Sequence, residues 1–195
     1  MRRRIFFSIG ILLLLGSAFL AARELDTRGT PLFEAQASLP FDYSIKTEQG
    51  APIMVRRVID GDTIELINGE RLRYIGIDTP EEVDPRKPVQ CFAREAAEKN
   101  KELVLGKMII FHKDVSTKDQ YGRWLGFVYL ADGTFVNLEL VKQGFAFSYP
   151  YPPDISKANQ FRTVEAEARK SSLGLWAGCR TYQTKNGRSQ TNALN

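Results

Sequence analysis

The most informative part of the chain is residues 53–77, which read IMVRRVIDGDTIELINGERLRYIGI. Apolar and β-branched residues form three short runs here, and the dipeptides Asp60-Gly61 and Asn68-Gly69 separate them. Such dipeptides are strong signals for tight hairpin turns. The pattern predicts a meander of three strands, over Ile53–Ile59, Thr63–Ile67 and Arg71–Ile77.

Two further strands and three helices are predicted after the meander. The strands are Met108–Lys113 and Leu125–Leu130, and the helices are Phe92–Leu105, Val136–Gln143 and Asn159–Ser171. Each helical segment carries its apolar residues on one face. This order of elements predicts a mixed α+β fold: a five-stranded antiparallel OB-fold β-barrel with three packed helices, preceded by an N-terminal apolar signal or anchor segment.

Residues 1–22 have the layout of an export signal. Three arginines, Arg2 to Arg4, precede an uncharged run from Ile5 to Ala22. A run of about 18 residues is at the lower limit for a bilayer-spanning helix, so its length fits both a signal peptide and a single-span anchor. We therefore predict export across the cytoplasmic membrane, giving a secreted protein or one anchored through residues 5–22 and facing outward.

The other domain boundaries follow from composition. Residues 23–50 are polar and contain Pro31 and Pro40, which predicts a linker. Residues 51–178 hold the predicted folded domain. Residues 179–195 are almost wholly polar, which predicts a disordered tail.

The composition, with 43% hydrophobic and 26% charged residues over 195 positions, excludes a fibrous or disordered chain and indicates one ordinary core. The net charge is +4, and Arg2 to Arg4 supply three of the basic residues. Without residues 1–22 the chain has 24 basic and 23 acidic residues. Overall charge therefore does not indicate a nucleic-acid partner, and any affinity for anions must come from local placement.

Cys91 and Cys179 are the two cysteines of the chain. In an exported protein an even count permits one disulfide, and two unpaired buried thiols are the alternative. A zinc site would need more ligands than these two thiols and the single His112 readily supply.

The predicted meander brings an acidic and a basic side chain together. A two-residue turn at residues 68–69 would set Asp62 opposite Ile75, with Arg73 as a diagonal neighbour on the same face. These two side chains would then converge at one end of the sheet.

Two more carboxylates, Asp78 and Glu81, follow just beyond the third strand and would join Asp62. Three carboxylates close together repel one another unless they bind a cation or take up protons. Oxygen ligands without nearby His or Cys favour calcium or magnesium. The acidic residues lie in two segments, Asp60-Gly61-Asp62 and Asp78-Thr79-Pro80-Glu81, and each of these taken alone is also a common turn sequence. Plain structural turns are therefore the alternative.

Five spaced motifs together resemble the staphylococcal nuclease (thermonuclease) family. The resemblance runs in order from about Val55 to Trp176 and implies an OB-fold phosphodiesterase that hydrolyses DNA and RNA with calcium and leaves 3'-phosphate ends. The motifs are Val58-Ile59-Asp60-Gly61-Asp62-Thr63, Arg73-Tyr74-Ile75-Gly76-Ile77-Asp78-Thr79-Pro80-Glu81, Tyr121-Gly122-Arg123, Val136-Asn137 and Leu173-Gly174-Leu175-Trp176.

The resemblance also implies a role for each matching residue. Calcium would be held by the carboxylates of Asp62 and Asp78 and by the carbonyl of Thr79. Catalysis would fall to Glu81 as general base and to Arg73 and Arg123 as phosphate ligands. Substrate-binding residues would be Tyr121, Tyr149 and Tyr151, although an additional proline disturbs the register of the last two, and packing of a proline-rich loop is the alternative for them.

Two rival interpretations remain at this stage. One is a noncatalytic module that binds nucleic acid or protein on the same barrel. The other is a membrane-tethered structural protein whose acidic cluster is a calcium-stabilised turn. For the enzyme, the expected partner is DNA or RNA, with the membrane as a second partner if the leader is retained, and the protein is expected to be monomeric.

Overall fold

The computed structural model describes residues 47–82 and 88–193. The predicted leader and all but the last four residues of the predicted linker lie outside this part of the chain. The strands are β1 Ile53–Val58, β2 Thr63–Leu66, β3 Arg71–Tyr74, β4 Ile77–Asp78, β5 Met108–His112, β6 Trp124–Leu130, β7 Phe147–Ser148, β8 Thr181–Gln183 and β9 Ser189–Thr191. The helices are α1 Ala93–Val104, α2 Val136–Lys142, α3 Ala158–Lys170 and α4 Leu175–Gly178.

Five strands, in the order β1-β2-β3-β6-β5, form a closed barrel, which confirms the predicted fold. Four of the strand pairs are antiparallel, as expected, but β3 and β6 run parallel, with Leu72 opposite Trp124. No hairpin joins these two strands, because α1 and β5 lie between them in the chain. A long crossover connection of this kind permits parallel pairing, whereas a short hairpin does not.

The core of the barrel is built from alternate strand residues, because successive side chains of a strand point to opposite faces. Ile64 and Leu66 on β2, Leu72 on β3, and Ile109 and Phe111 on β5 are fully buried. This packing fixes the strands firmly, so residues at the strand ends have a rigid support.

The turn between β2 and β3 differs from the two-residue turn predicted. The amide of Leu66 donates to the carbonyl of Glu70 at 2.8 Å, so the loop has three residues, and Gly69 takes a left-handed φ of +85° in it. A three-residue loop that ends in a left-handed glycine is a common hairpin connection. The register is therefore shifted by one residue, and the carbonyl of Asp62 accepts the amide of Tyr74 instead of facing Ile75.

The predicted third strand also ends earlier than expected, because the chain turns at Gly76. This residue has a φ of +79°, and a Cβ there would lie 2.4 Å from the ring of Phe161, so only glycine fits. After the turn, β4 leaves the barrel and pairs with β7, with Asp78 opposite Phe147.

A buried amide on α2 holds this turn against β6. Asn137 accepts the amide of Val128 at 2.9 Å and donates to the carbonyls of Ile75 at 3.0 Å and Gly126 at 3.2 Å. Buried amides that are fully hydrogen-bonded specify a unique arrangement. Asn137 therefore links helix packing to the position of the chain that leads into Asp78.

The polar C-terminal segment forms a β-hairpin, which corrects the prediction of a disordered tail over residues 179–195. Strands β8 and β9 pair with Tyr182 opposite Gln190. The hairpin is attached to the start of α1 by a Cys91–Cys179 disulfide, and the amide of Cys91 donates to the carbonyl of Asn192 at 2.7 Å. The prediction from polar composition was wrong because a disulfide and hydrogen bonds order this segment, although it has no hydrophobic core of its own.

Within the described ranges, 47–82 and 88–193, the helices are too short or too polar to cross a bilayer.

Candidate active site

Two buried carboxylates share one guanidinium at the point where β3 and β4 end. Arg73 donates through Nη1 to Oδ1 of Asp62 at 2.5 Å and through Nη2 to Oδ1 of Asp78 at 2.9 Å. Only 1% of Asp62 and 2% of Asp78 is exposed. The second oxygen of Asp62 accepts the amide of Thr79 at 3.0 Å. We call Asp62, Asp78 and Arg73 the carboxylate cluster.

Burial and the guanidinium groups act in opposite directions on the carboxylates of this cluster. Burial, together with the charge of Asp62, raises the pKa of Asp78, and the hydrogen bond from Arg188 and the charge of Arg73 only partly oppose that rise. For Arg73, burial lowers the pKa, but the charges of Asp62 and Asp78 raise it by more. The Arg73 guanidinium therefore stays protonated and cannot act as a base.

Asp60 is a third carboxylate beside the cluster, at a position that the sequence predicts only as part of a turn. Its Oδ1 accepts the amide of Asp62 at 3.0 Å, and its carbonyl accepts Nδ2 of Asn100, a buried residue of α1, at 3.0 Å. Burial, followed by the charge of Asp62, raises the pKa of Asp60 to about 7. The contact with α1 was missed because it joins residues that are 40 positions apart.

A cavity of about 640 Å³ opens beside the cluster, and we call it the site cavity. It brings together most of the residues singled out from the sequence. Among its lining residues are Arg73, Asp78, Glu81, Tyr121, Arg123, Tyr149 and Tyr151. Asp62 and Thr79 are not part of this lining and lie behind it as buried residues.

Glu81 is held in the wall of the site cavity through its backbone. Its amide donates to Oε1 of Gln90 at 2.8 Å, and its carbonyl accepts the amide of Gln90 at 2.9 Å. This paired contact fixes the main chain of Glu81 where the chain leaves β4. Gln90 has no charge and belongs to none of the quoted motifs, so no feature of the sequence pointed to it.

Arg123 is oriented by a carboxylate that lies outside the quoted motifs. Asp119 accepts Nε of Arg123 at 2.7 Å, and its other oxygen accepts the amides of Arg123 at 3.0 Å and Tyr121 at 2.9 Å. One side chain thus fixes both the turn and the guanidinium. The signal available in the sequence was an aspartate four residues before an arginine across a glycine turn.

Aromatic rings form the outer part of the site cavity. The rings of Tyr149 and Tyr151 are stacked, with centroids 6.1 Å apart and an angle of 27° between the planes. Tyr121 and Tyr151 are 75% and 65% exposed, respectively. Large exposed rings around a cavity are available to stack on a flat ligand.

Arg188, near the turn of the C-terminal hairpin, is a further cation of the site cavity. Its Nη2 donates to Oδ1 of Asp78 at 2.6 Å, and its Nε donates to the other oxygen, Oδ2. Nothing in the sequence pointed to this residue, because it is 110 positions from Asp78 in a segment predicted to be disordered.

The donors available to a metal ion are oxygens. In the part of the chain that the structure describes, no group of three or more His, Cys, Asp or Glu side chains is arranged to hold a metal. The set to be tested is the one that the family resemblance implies: the carboxylates of Asp62 and Asp78 with the main-chain oxygen of Thr79. Two buried carboxylates already accommodate a cationic group between them, and such hard oxygen donors suit calcium.

These features define the class of protein to which the chain belongs. It is a small barrel protein whose cavity combines oriented guanidiniums, which match phosphate oxygens, with exposed rings, which match bases. Such a cavity is suited to a phosphate ester that carries a flat ring.

Comparison with known proteins identifies the family. The family model described as staphylococcal nuclease homologue matches residues 71–178, and the chain belongs to this family. It is 38% identical over 140 residues to a thermonuclease of Staphylococcus intermedius, a match that covers 70% of this chain and 83% of the relative. It is 35% identical to endonuclease YncB of Bacillus subtilis, a match that covers 78% of this chain and 74% of the relative. It is 36% identical to a thermonuclease of Staphylococcus hyicus, a match that covers 63% of this chain and 74% of the relative.

Proposed function

We propose that this chain is a calcium-dependent phosphodiesterase that hydrolyses DNA or RNA and leaves 3'-phosphate ends. As a member of the staphylococcal nuclease family it is a nuclease, acting on phosphodiester bonds. One observation carries the chemistry: Arg73, Arg123 and Glu81 line a single cavity, so two fixed cations and a carboxylate can reach one phosphate.

The two arginines would stabilise the charge that develops on the phosphate. A phosphodiester is anionic, and negative charge concentrates on its nonbridging oxygens during attack by water. Guanidinium groups present forked donors that match these oxygens and remain protonated throughout. Arg123 is held in place by Asp119 and Arg73 by two carboxylates, so little reorganisation is needed when the charge forms.

Glu81 is the residue proposed to take the proton from the attacking water. General bases must lie within about 3 Å of the proton that they remove, and they contribute roughly 10² to 10⁴ in rate. Both arginines are excluded from this role by their permanent charge. Glu81 also belongs to the cavity wall, whereas Asp62 is buried behind it.

Asp62, Asp78 and Thr79 are the residues proposed to hold calcium. When bound, calcium supplies Lewis acidity toward a phosphate oxygen. The residues would supply two negative charges from a rigid barrel end, and the buried position of both carboxylates strengthens their electrostatic effect.

The exposed rings of Tyr121 and Tyr151, with Tyr149 stacked on the latter, are proposed to bind bases of the substrate. Stacking of a base on a tyrosine contributes roughly 1 to 3 kcal/mol and accepts any base. This is consistent with a nuclease that cleaves without strong sequence preference.

The decisive experiment is the release of acid-soluble nucleotides from DNA and from RNA, with calcium and with a chelator. We expect calcium-dependent release by the wild type and its loss in Glu81→Gln, with an unchanged thermal unfolding midpoint. Glu82→Gln is the matched control, because Glu82 is the adjacent glutamate and its side chain lies 3.9 Å from the exposed Arg94. A folded wild type that binds nucleic acid without cleaving it would support the noncatalytic module instead.

The location of the protein is also part of the proposal. Export is supported by the basic and apolar leader and by the Cys91–Cys179 disulfide, since such bonds persist in oxidising compartments. Sequencing the mature N-terminus would distinguish a secreted protein from one anchored through residues 5–22, and sedimentation would test the proposed monomer. Recovery of the protein in the cytoplasm with two free thiols would contradict export.

A further inference from the structure

The C-terminal hairpin brings a guanidinium onto one of the proposed calcium ligands. Arg188 contacts both carboxylate oxygens of Asp78, through Nε to Oδ2 and through Nη2 to Oδ1, the latter at 2.6 Å. The side chain of Asp78 is 3% exposed and that of Arg188 is 30% exposed. Paired contacts of this kind are among the strongest side-chain interactions in proteins.

The hairpin itself is firmly attached beside the site. The Cys91–Cys179 disulfide precedes it, and on its second strand the hydroxyl of Thr191 donates to the carbonyl of Cys91 at 2.8 Å. Its turn is closed by the amide of Thr184, which donates to the carbonyl of Arg188 at 2.8 Å. Arg188 therefore reaches Asp78 from an ordered support.

A divalent cation and Arg188 need the same oxygens. Calcium binds carboxylate oxygens at about 2.3 to 2.6 Å, which leaves no room for a guanidinium in the same direction. The two positive groups also repel each other at such a distance. Arg73 also donates to Oδ1 of Asp78 and to Oδ1 of Asp62, but it leaves Oδ2 of Asp78 open, and Arg188 is the guanidinium that occupies that oxygen.

We propose that Arg188 is an additional residue of the site, which binds Asp78 in competition with calcium and so sets the affinity of the protein for that ion. Binding of calcium displaces the guanidinium from Asp78. The disulfide keeps the hairpin attached, so Arg188 is available to return when calcium leaves. This inference rests on the proposed calcium dependence.

The test measures calcium binding by titration calorimetry on the full chain without substrate. We expect Arg188→Ala to lower the dissociation constant at least about tenfold, which corresponds to about 1.4 kcal/mol. Lys185→Ala is the matched control, because Lys185 is an exposed cation in the same hairpin turn, and we expect it to bind calcium like the wild type. Thermal unfolding checks that each variant is folded.

A further variant distinguishes direct competition from a general effect of charge. Arg188→Lys keeps the charge but cannot contact both oxygens of Asp78 at once, so competition predicts tighter calcium binding than in the wild type. Equal affinities for wild type, Arg188→Lys and Arg188→Ala would overturn the inference and leave the calcium site standing. If none of the folded proteins binds calcium, the proposed calcium dependence fails together with the inference.

Discussion

Replacement of Arg73 by lysine is expected to impair both stability and turnover, although the charge is kept. Two nitrogens of Arg73 donate to two different carboxylates, at 2.5 Å to Asp62 and at 2.9 Å to Asp78. A lysine ammonium is a single point and cannot span both in the same way. The variant therefore loses one charge-assisted hydrogen bond in a largely buried cluster.

The size of each effect follows from that geometry. One charge-assisted hydrogen bond contributes roughly 1.5 to 3 kcal/mol to the free energy of unfolding. For a domain of this size, 1 kcal/mol corresponds to roughly 2 to 4 °C in the unfolding midpoint. Loss of one preorganised donor to a developing oxyanion lowers turnover by about 10² to 10³.

The assay is single-turnover cleavage of a fluorescently labelled oligonucleotide at saturating calcium, below the unfolding midpoint of Arg73→Lys. The control is Arg57→Lys, because Arg57 is 60% exposed and pairs with Glu65 on the surface. We expect the control to change stability by less than about 0.5 kcal/mol. Turnover of Arg73→Lys within about threefold of the wild type would refute the role of the forked donor.

Three further changes are expected to act through stability. Gly76→Ala places a Cβ 2.4 Å from the ring of Phe161 at a φ of +79°, and we expect a loss of at least about 2 kcal/mol in denaturant unfolding. Replacing Cys91 and Cys179 by serine removes a link across 88 residues and is expected to cost about 2 to 5 kcal/mol. Burial raises the pKa of Glu165 above the ordinary pKa of a glutamate. Ionisation of this carboxyl therefore lowers the stability of the fold as the pH rises above that ordinary pKa. We expect Glu165→Gln to raise the unfolding midpoint at pH 7 but not below pH 4.

Each of these has a control. Gly69→Ala has a similar φ of +85° but an open surrounding, so it isolates the backbone cost from the clash, and an equal loss in both variants would contradict the packing argument. A reductant should lower the stability of the wild type and leave the double serine variant unchanged. A midpoint difference for Glu165→Gln that is the same at pH 4 and pH 7 would exclude the titration of Glu165 as its cause.

Much of the fold was open to prediction because its signals are local. Turn dipeptides and alternating apolar residues located the strands of the barrel, and the predicted helices agree with α1, α2 and α3 to within one or two residues. The register at Asp62 was wrong because a hairpin loop can close with two or three residues, and Gly69 permits the longer loop. The strand predicted through Ile77 ends at Tyr74 because the chain turns at Gly76, and the ring of Phe161, a residue distant in the chain, occupies the space where a side chain at this position would lie.

By itself the sequence determined which residues could carry charge, which segments could form strands and helices, and which known family they resemble, since these properties depend on neighbours along the chain. Tertiary structure alone decided that Asn100 supports Asp60 and that Arg188 reaches Asp78, contacts that join residues 40 and 110 positions apart. The physical reason is that hydrogen bonds and ion pairs depend on proximity in space. The chain closure that brings residues 78 and 188 together is produced by the whole barrel, its helices and the disulfide, and no local pattern encodes it.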